Sequence, residues 1–244
     1  MAQGRSGAEA QDVVDRGAPA PVRERGTGGE VVPAGSGGRG ERAKGGRSVP
    51  LEQRVLWWGT LFLALVPAGR LAFRAWRGDL GPDPLITLEH GTGYWAFVVL
   101  LATLSVTPIR RLTGWNPVIK LRKMLGNTSA AYAVAHVTIY ATLDQGLDWT
   151  AIWQDALEHK RIFLGLAAFV ILLVLAATSP VAMVRRLGKR WSQIHKWVYA
   201  AVVLAVVHFA LTKKLDWREP LLWGGGVALL LGMRVWWRFS PGKR

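Results

Sequence analysis

The stretch IFLGLAAFVILLVLAATSPVAM, residues 162–183, decides the fold class. A helix with one face in water carries a polar stripe at helical period, and this run has none. A membrane-spanning strand alternates apolar and polar residues, and FVILLVLAA does not. Crossing the hydrocarbon core takes about 20 mostly apolar residues in a helix, and this run has that length. Working outward, five further apolar runs cover residues 55–73, 94–109, 125–143, 195–212 and 221–239, separated by short polar loops. The second is short and is expected to extend back toward His90; the third and fifth are less hydrophobic and contain the internal histidines. The expected architecture is all-α, a six-helix integral membrane bundle over residues 51–239, followed by a short tail at 240–244. No internal repeat is evident.

Residues 1–50 differ in kind. They are rich in Gly, Arg, Ala and Glu and lack Trp, Phe, Tyr, Leu and Ile. Such a segment cannot bury enough apolar surface to offset its ordering entropy, so a disordered tail is expected. It has no apolar core of a secretory signal, and Ala2 stands where N-myristoylation needs glycine.

The 244 residues include no cysteine, which removes disulfides, Cys-ligated zinc, thiolate-held iron–sulfur clusters, covalent haem attachment and a cysteine nucleophile. The 13 Trp fit a chain with two membrane–water interfaces. The formal net charge of +15 would suit nucleic acid, but the placement of the charge decides otherwise. Arg110, Arg111, Lys120, Arg122 and Lys123 follow the second run, and Arg185, Arg186, Lys189 and Arg190 follow the fourth. The opposite loops are sparser in Lys and Arg. This positive-inside bias predicts both termini in the cytoplasm of a bacterial cell, with the chain multi-pass in the inner membrane, attraction to anionic lipid, and no nucleic-acid partner.

Ionisable side chains at membrane depth are functional candidates by default. His136 lies in AAYAVAHVTIYATL and His208 in AAVVLAVVHFAL. At about 1.5 Å per residue they sit roughly 16 Å and 20 Å from the inner ends of their spans, at compatible depths. Two imidazoles from facing helices can clamp one iron axially, and Ala130, Ala131, Ala133 and Ala135 would leave room for a flat macrocycle. A hydrogen bond to a neighbouring helix is the plain alternative for either histidine. Zinc is the competing metal, but a closed site wants four ligands, and the Asp and Glu residues lie in loops. His195 opens the fifth run near the cytoplasmic boundary. It is 13 residues before His208, about 140° away on a straight helix, so one stripe does not hold both. It serves either a second cofactor or simply the interface beside Lys189 and Arg190. His90 reads as a helix-start residue and His159 as a solvated one. Arg70, toward the outer end of the first run, either snorkels or pairs with a haem carboxylate.

The segments DPLITLEHGTGYWAFVVLLATLSVTPIRRLTG, KLRKMLG, AHVTIYATLDQG and LGKRWSQIHKWVYAAVVLAVVHFAL resemble the MsrQ (YedZ) family over about residues 51–239. This family comprises the haem-binding membrane subunits of a bacterial methionine-sulfoxide reductase system and belongs to the ferric-reductase-like transmembrane group. The resemblance implies a six-helix b-type cytochrome, an electron-transfer subunit rather than the catalytic one. Its electrons would come from the quinone pool or a cytoplasmic flavin reductase and pass to MsrP, a periplasmic molybdopterin enzyme that repairs oxidised envelope proteins. It implies one haem b and leaves open a second, and it brings FMN as a further cofactor of the family. By motif, His136, His195 and His208 match the haem-associated histidines, with His136 and His208 as an axial pair and His195 toward a second haem. Arg122 stands about where the wider group has its second histidine on the third helix, so no inner partner for His195 is readable. A cofactor-free membrane scaffold or a small transporter are the readings from other classes.

Overall fold

In a computed structural model, residues 50–213 and 217–240 are described. The chain divides into Met1–Arg47 and Ser48–Arg244. The expected tails at 1–50 and 240–244 lie outside the described residues, except for Pro50 and Ser240. Among the described residues all regular structure is helical: α1 (Leu51–Trp76), α2 (Pro84–Thr113), α3 (Leu121–Ile139), α4 (Trp149–Glu158), α5 (Lys160–Ala177), α6 (Val181–Leu187), α7 (Lys189–Ile194), α8 (Val198–Thr212) and α9 (Arg218–Phe239). Short turns of tighter or wider helix at Asn116–Lys120, Tyr140–Asp144 and His195–Trp197 join some of them.

Local chemistry sets the ends. Asp83 accepts a hydrogen bond from the Ile86 amide at 3.0 Å, Pro84 fills the first position of α2, and Gly114 closes the helix with φ 71°. Asp148 caps α4 through the Thr150 and Ala151 amides. The run expected to continue to residue 183 instead stops at Ala177. Thr178 and Ser179 fold back onto carbonyls of the last turn, and Pro180 has no amide hydrogen with which to continue it. Gly188 (φ 50°) separates α6 from α7.

Four stretches are long and apolar enough to cross a membrane: Leu51–Trp76, Pro84–Thr113, Lys160–Ala177 and Lys189–Thr212. Their apolar side chains point outward more than inward. Only 6% of the most apolar window of α1 is buried, and Phe62, Leu63, Val170 and Leu173 are exposed. In water this would be a contiguous apolar surface far beyond what a soluble protein tolerates; against lipid it is the expected state.

The buried centre is α2, which packs most extensively on α3, while α5 pairs with α8. Leu100, Leu104, Ser129 and Val202 are fully enclosed, and the Ser129 hydroxyl donates to the Ala96 carbonyl at 2.8 Å. Two prolines interrupt helices inside this bundle, and each interruption is satisfied by a side chain from another helix. Near Pro67 of α1 the Tyr132 hydroxyl donates to the Ala64 carbonyl (2.8 Å) and accepts from the Ala68 amide (3.0 Å). Pro108 of α2 cannot donate to the Leu104 carbonyl four residues back, and Arg234 of α9 donates to it instead at 2.5 Å.

Candidate functional site: a cleft between two histidines

A cavity of about 410 Å³ opens between α2, α3, α5 and α8, a size suited to a small-molecule or cofactor ligand. Its base is apolar, with Ala96, Phe97, Leu100, Ala168, Phe169 and Leu172. Its mouth is polar, with Glu89, His90, Tyr140, Arg161, Lys213 and Glu219. His136 and His208 face each other across it, their ring centroids 6.3 Å apart and their planes 70° apart.

Each imidazole is held from behind by the backbone of a neighbouring helix. His136 Nδ1 donates to the Glu89 carbonyl of α2 at 3.0 Å, and His208 Nδ1 to the Arg161 carbonyl of α5 at 2.7 Å. A carbonyl only accepts, so the proton is on Nδ1 and the lone pair is on Nε2. This is how metal-binding histidines are typically oriented. A metal–imidazole bond of about 2.0–2.1 Å on each side, with the ring radius added, puts two trans imidazole centres about 6.4 Å apart. The observed spacing accommodates one metal ion between the rings. Among the described residues no group of three or more His, Cys, Asp or Glu could hold a bare ion. Two nitrogens alone suit a metal that brings its other ligands with it, as a macrocycle does.

The two half-sites are built alike. In each, 47 residues separate the accepting carbonyl from its histidine. A constant shift of 72 residues takes Glu89, Gly93, Ala96, Phe97, Leu100, Ala133 and His136 onto Arg161, Gly165, Ala168, Phe169, Leu172, Ala205 and His208, all of them in the cleft lining. No repeat is evident along the sequence as a whole, yet, Glu89 and Arg161 apart, the two helix pairs bring the same residue types to the cleft in one register.

His195 does not line this cleft. Its ring stacks on Trp191 (centroids 4.1 Å, planes 27° apart), and its Nδ1 faces the Trp191 carbonyl at 3.2 Å. The short turn at His195–Trp197 separates it from α8, and among the described residues no second imidazole stands opposite it. His90 is at the cleft mouth, while His159 pairs with Asp155 at 2.7 Å. Of the four alanines around His136 only Ala133 lines the cleft, and Ala131 faces outward. Arg70 is exposed and does not reach the cleft.

Sequence reasoning missed Gly93 and Gly165. A Cβ built on Gly93 would lie 3.1 Å from the His136 ring, and one on Gly165 would lie 2.8 Å from the His208 ring. A lone glycine inside an apolar helical run was the available signal. It also missed Tyr140, whose hydroxyl donates to Asp155 at 2.5 Å and ties the end of the third helix to α4 beside the cleft mouth.

Fold and cleft together define a helical membrane protein that presents two back-bonded imidazoles across an interhelical slot. The family model described as ferric reductase like transmembrane component matches residues 91–206. Among similar proteins, the protein-methionine-sulfoxide reductase heme-binding subunit MsrQ of Xanthomonas axonopodis pv. citri (strain 306) is 42% identical over 183 residues, covering 72% of this chain and 84% of that one. The subunit of the same name from Ralstonia nicotianae is 42% identical over 187 residues, covering 75% and 85%. No solved structure matches. The chain belongs to the MsrQ family.

Proposed function

We propose that this chain is the haem-carrying membrane subunit of a protein-methionine-sulfoxide reductase system, with one haem b held between His136 and His208. The observation that carries the reading is the pair of imidazoles at 6.3 Å, each with Nδ1 bonded to a backbone carbonyl and Nε2 left free. Its relatives are named heme-binding subunits. When bound, the haem supplies a one-electron centre whose potential follows from axial ligands and burial.

The chain's own residues do the rest. The Glu89 and Arg161 carbonyls fix the tautomer of each ligand and raise its basicity. The alanines and phenylalanines at the base exclude water. Arg161 and Lys213 at the mouth, the latter paired with Glu219 at 3.0 Å, would be the cations nearest a porphyrin's carboxylates. His195, stacked on Trp191, stays outside this two-histidine site. The 19 residues of α3 and the 22 of α9 also cross the bilayer in this reading, which makes six spans in the bacterial inner membrane with both termini cytoplasmic. The cleft mouth then faces the periplasm, where a molybdopterin reductase of the MsrP kind takes the electrons. The donor works from the inner side, as a membrane quinol or a cytoplasmic flavin reductase.

Purified membranes are expected to give a reduced-minus-oxidised spectrum with a b-type α-band, which His136→Ala or His208→Ala removes. A chain that stays colourless after reconstitution with haem is a scaffold or transporter instead. Reporter fusions after Arg244 and near Asp148 are expected to read cytoplasmic and periplasmic, respectively; the reverse pattern inverts the direction of electron flow.

A further inference from the structure

Glycine within a helix is unfavourable relative to alanine and calls for a local reason. In α1 and α9, Gly59, Gly69, Gly225, Gly226 and Gly232 have open space where a Cβ would stand. Gly93 and Gly165 do not. A Cβ on Gly165 would come within 2.8 Å of both Cε1 and Nδ1 of His208, and one on Gly93 within 3.1 Å of the same atoms of His136.

In both cases the blocking atoms belong to a ring that is not free to yield. His208 Nδ1 is bonded at 2.7 Å to the carbonyl of Arg161, which lies four residues before Gly165 on the same helix. His136 Nδ1 is bonded at 3.0 Å to the carbonyl of Glu89, four residues before Gly93. One helical turn therefore supplies both the acceptor that holds the ring and the gap that lets the ring reach it. A methyl group at the glycine pushes the imidazole off its carbonyl and swings Nε2 away from the cleft. The recurrence of this pairing on both sides of the cleft argues against accident.

We propose that Gly93 and Gly165 are positioning residues of the haem site: bare-backbone seats that set the pose of His136 and His208. The inference rests on the haem reading above. The seat under His208 is the tighter one, so it is the more sensitive to substitution.

The test uses the full chain in detergent with Gly165→Ala, Gly93→Ala and, as control, Gly225→Ala. The readings are the haem-to-protein ratio, the difference spectrum, carbon monoxide binding by the reduced protein, and helix content by circular dichroism. An iron held by two histidines has no free position for carbon monoxide; one that has lost a histidine does. The expected result for Gly165→Ala is native helix content with a roughly ten-fold drop in haem or most of the remaining haem binding carbon monoxide. Gly93→Ala is expected to show the same change in smaller degree, and Gly225→Ala none. Full haem loading with an unchanged spectrum and no carbon monoxide binding in Gly165→Ala overturns the inference and leaves the haem reading standing. Should Gly165→Ala not accumulate in membranes, Gly93→Ala decides by the same readings. A wild-type chain that takes up no haem overturns the reading and the inference together.

Discussion

His208 and His195 lie at opposite ends of one helical stretch, and their surroundings differ in every respect that matters to a ligand. His208 is tied through Nδ1 to a different helix, rests on a glycine, and faces an apolar cavity with a second imidazole on its far side. His195 is bonded to the Trp191 carbonyl one turn back and to the backbone at Leu175 of α5, its ring face is covered by Trp191, and Trp191 is itself anchored by donating to the Thr178 carbonyl at 3.0 Å. Both residues are partly buried, so burial does not separate them. What separates them is whether the ring is left open on a cavity with a second imidazole facing it, as at His208, or covered by an indole, as at His195. At the end away from the cleft Arg234 is consumed in mending the α2 ladder at the Leu104 carbonyl.

The largest effect that would break this comparison is on cofactor content. His208→Ala is expected to remove essentially all bound haem, whereas His195→Ala keeps it at one per chain. A wild-type stoichiometry of two that falls to one in His195→Ala would put a second haem at the Trp191 end. The next effect concerns stability without the cofactor. Tyr132→Phe leaves the Ala64 carbonyl and the Ala68 amide unmatched beside Pro67 and is expected to destabilise the chain by about 1–3 kcal/mol. A lower thermal midpoint with an unchanged α-band would show that the packing core and the cleft are separate. Arg234→Leu, which orphans the Leu104 carbonyl, is expected to fall in the same range of about 1–3 kcal/mol. The smallest effect is at the mouth. Arg161 is exposed, so Arg161→Gln should weaken haem retention by about 1 kcal/mol or less, read as a few-fold faster transfer to apomyoglobin.

Much of this was legible in the chain itself. Long apolar runs without a polar stripe marked the membrane helices, and the matched depths of His136 and His208 brought them to one level. The angular argument that His195 and His208 cannot share a stripe agrees with the turn that separates them. What stayed hidden depended on contacts between helices. α4 was missed because ten residues make a weak periodic signal, although the Asp148 cap and the Trp149–Trp153 spacing were there to be read. The end of α5 was overrun because Val181 and Met183 continue the apolar pattern beyond Pro180, yet the proline and the two hydroxyl residues before it end the helix. The carbonyl that holds each imidazole was not readable because a backbone carbonyl carries no residue identity: Glu89 and Arg161 occupy equivalent places with opposite side-chain charges. The glycine seats were hidden for the same reason, since their role is an absence that only a neighbouring ring makes meaningful.

The two-sided construction of the cleft has one more consequence. Each helix pair contributes one imidazole, so a group gripped by both acts as a clasp between halves that few polar bonds otherwise join. Occupancy and assembly are then linked by mass action: a ligand at 1,000 times its dissociation constant adds about 4.1 kcal/mol to the closed bundle. On the proposed haem reading, the empty chain would be the looser one, and porphyrin supply would bias which copies persist in the membrane.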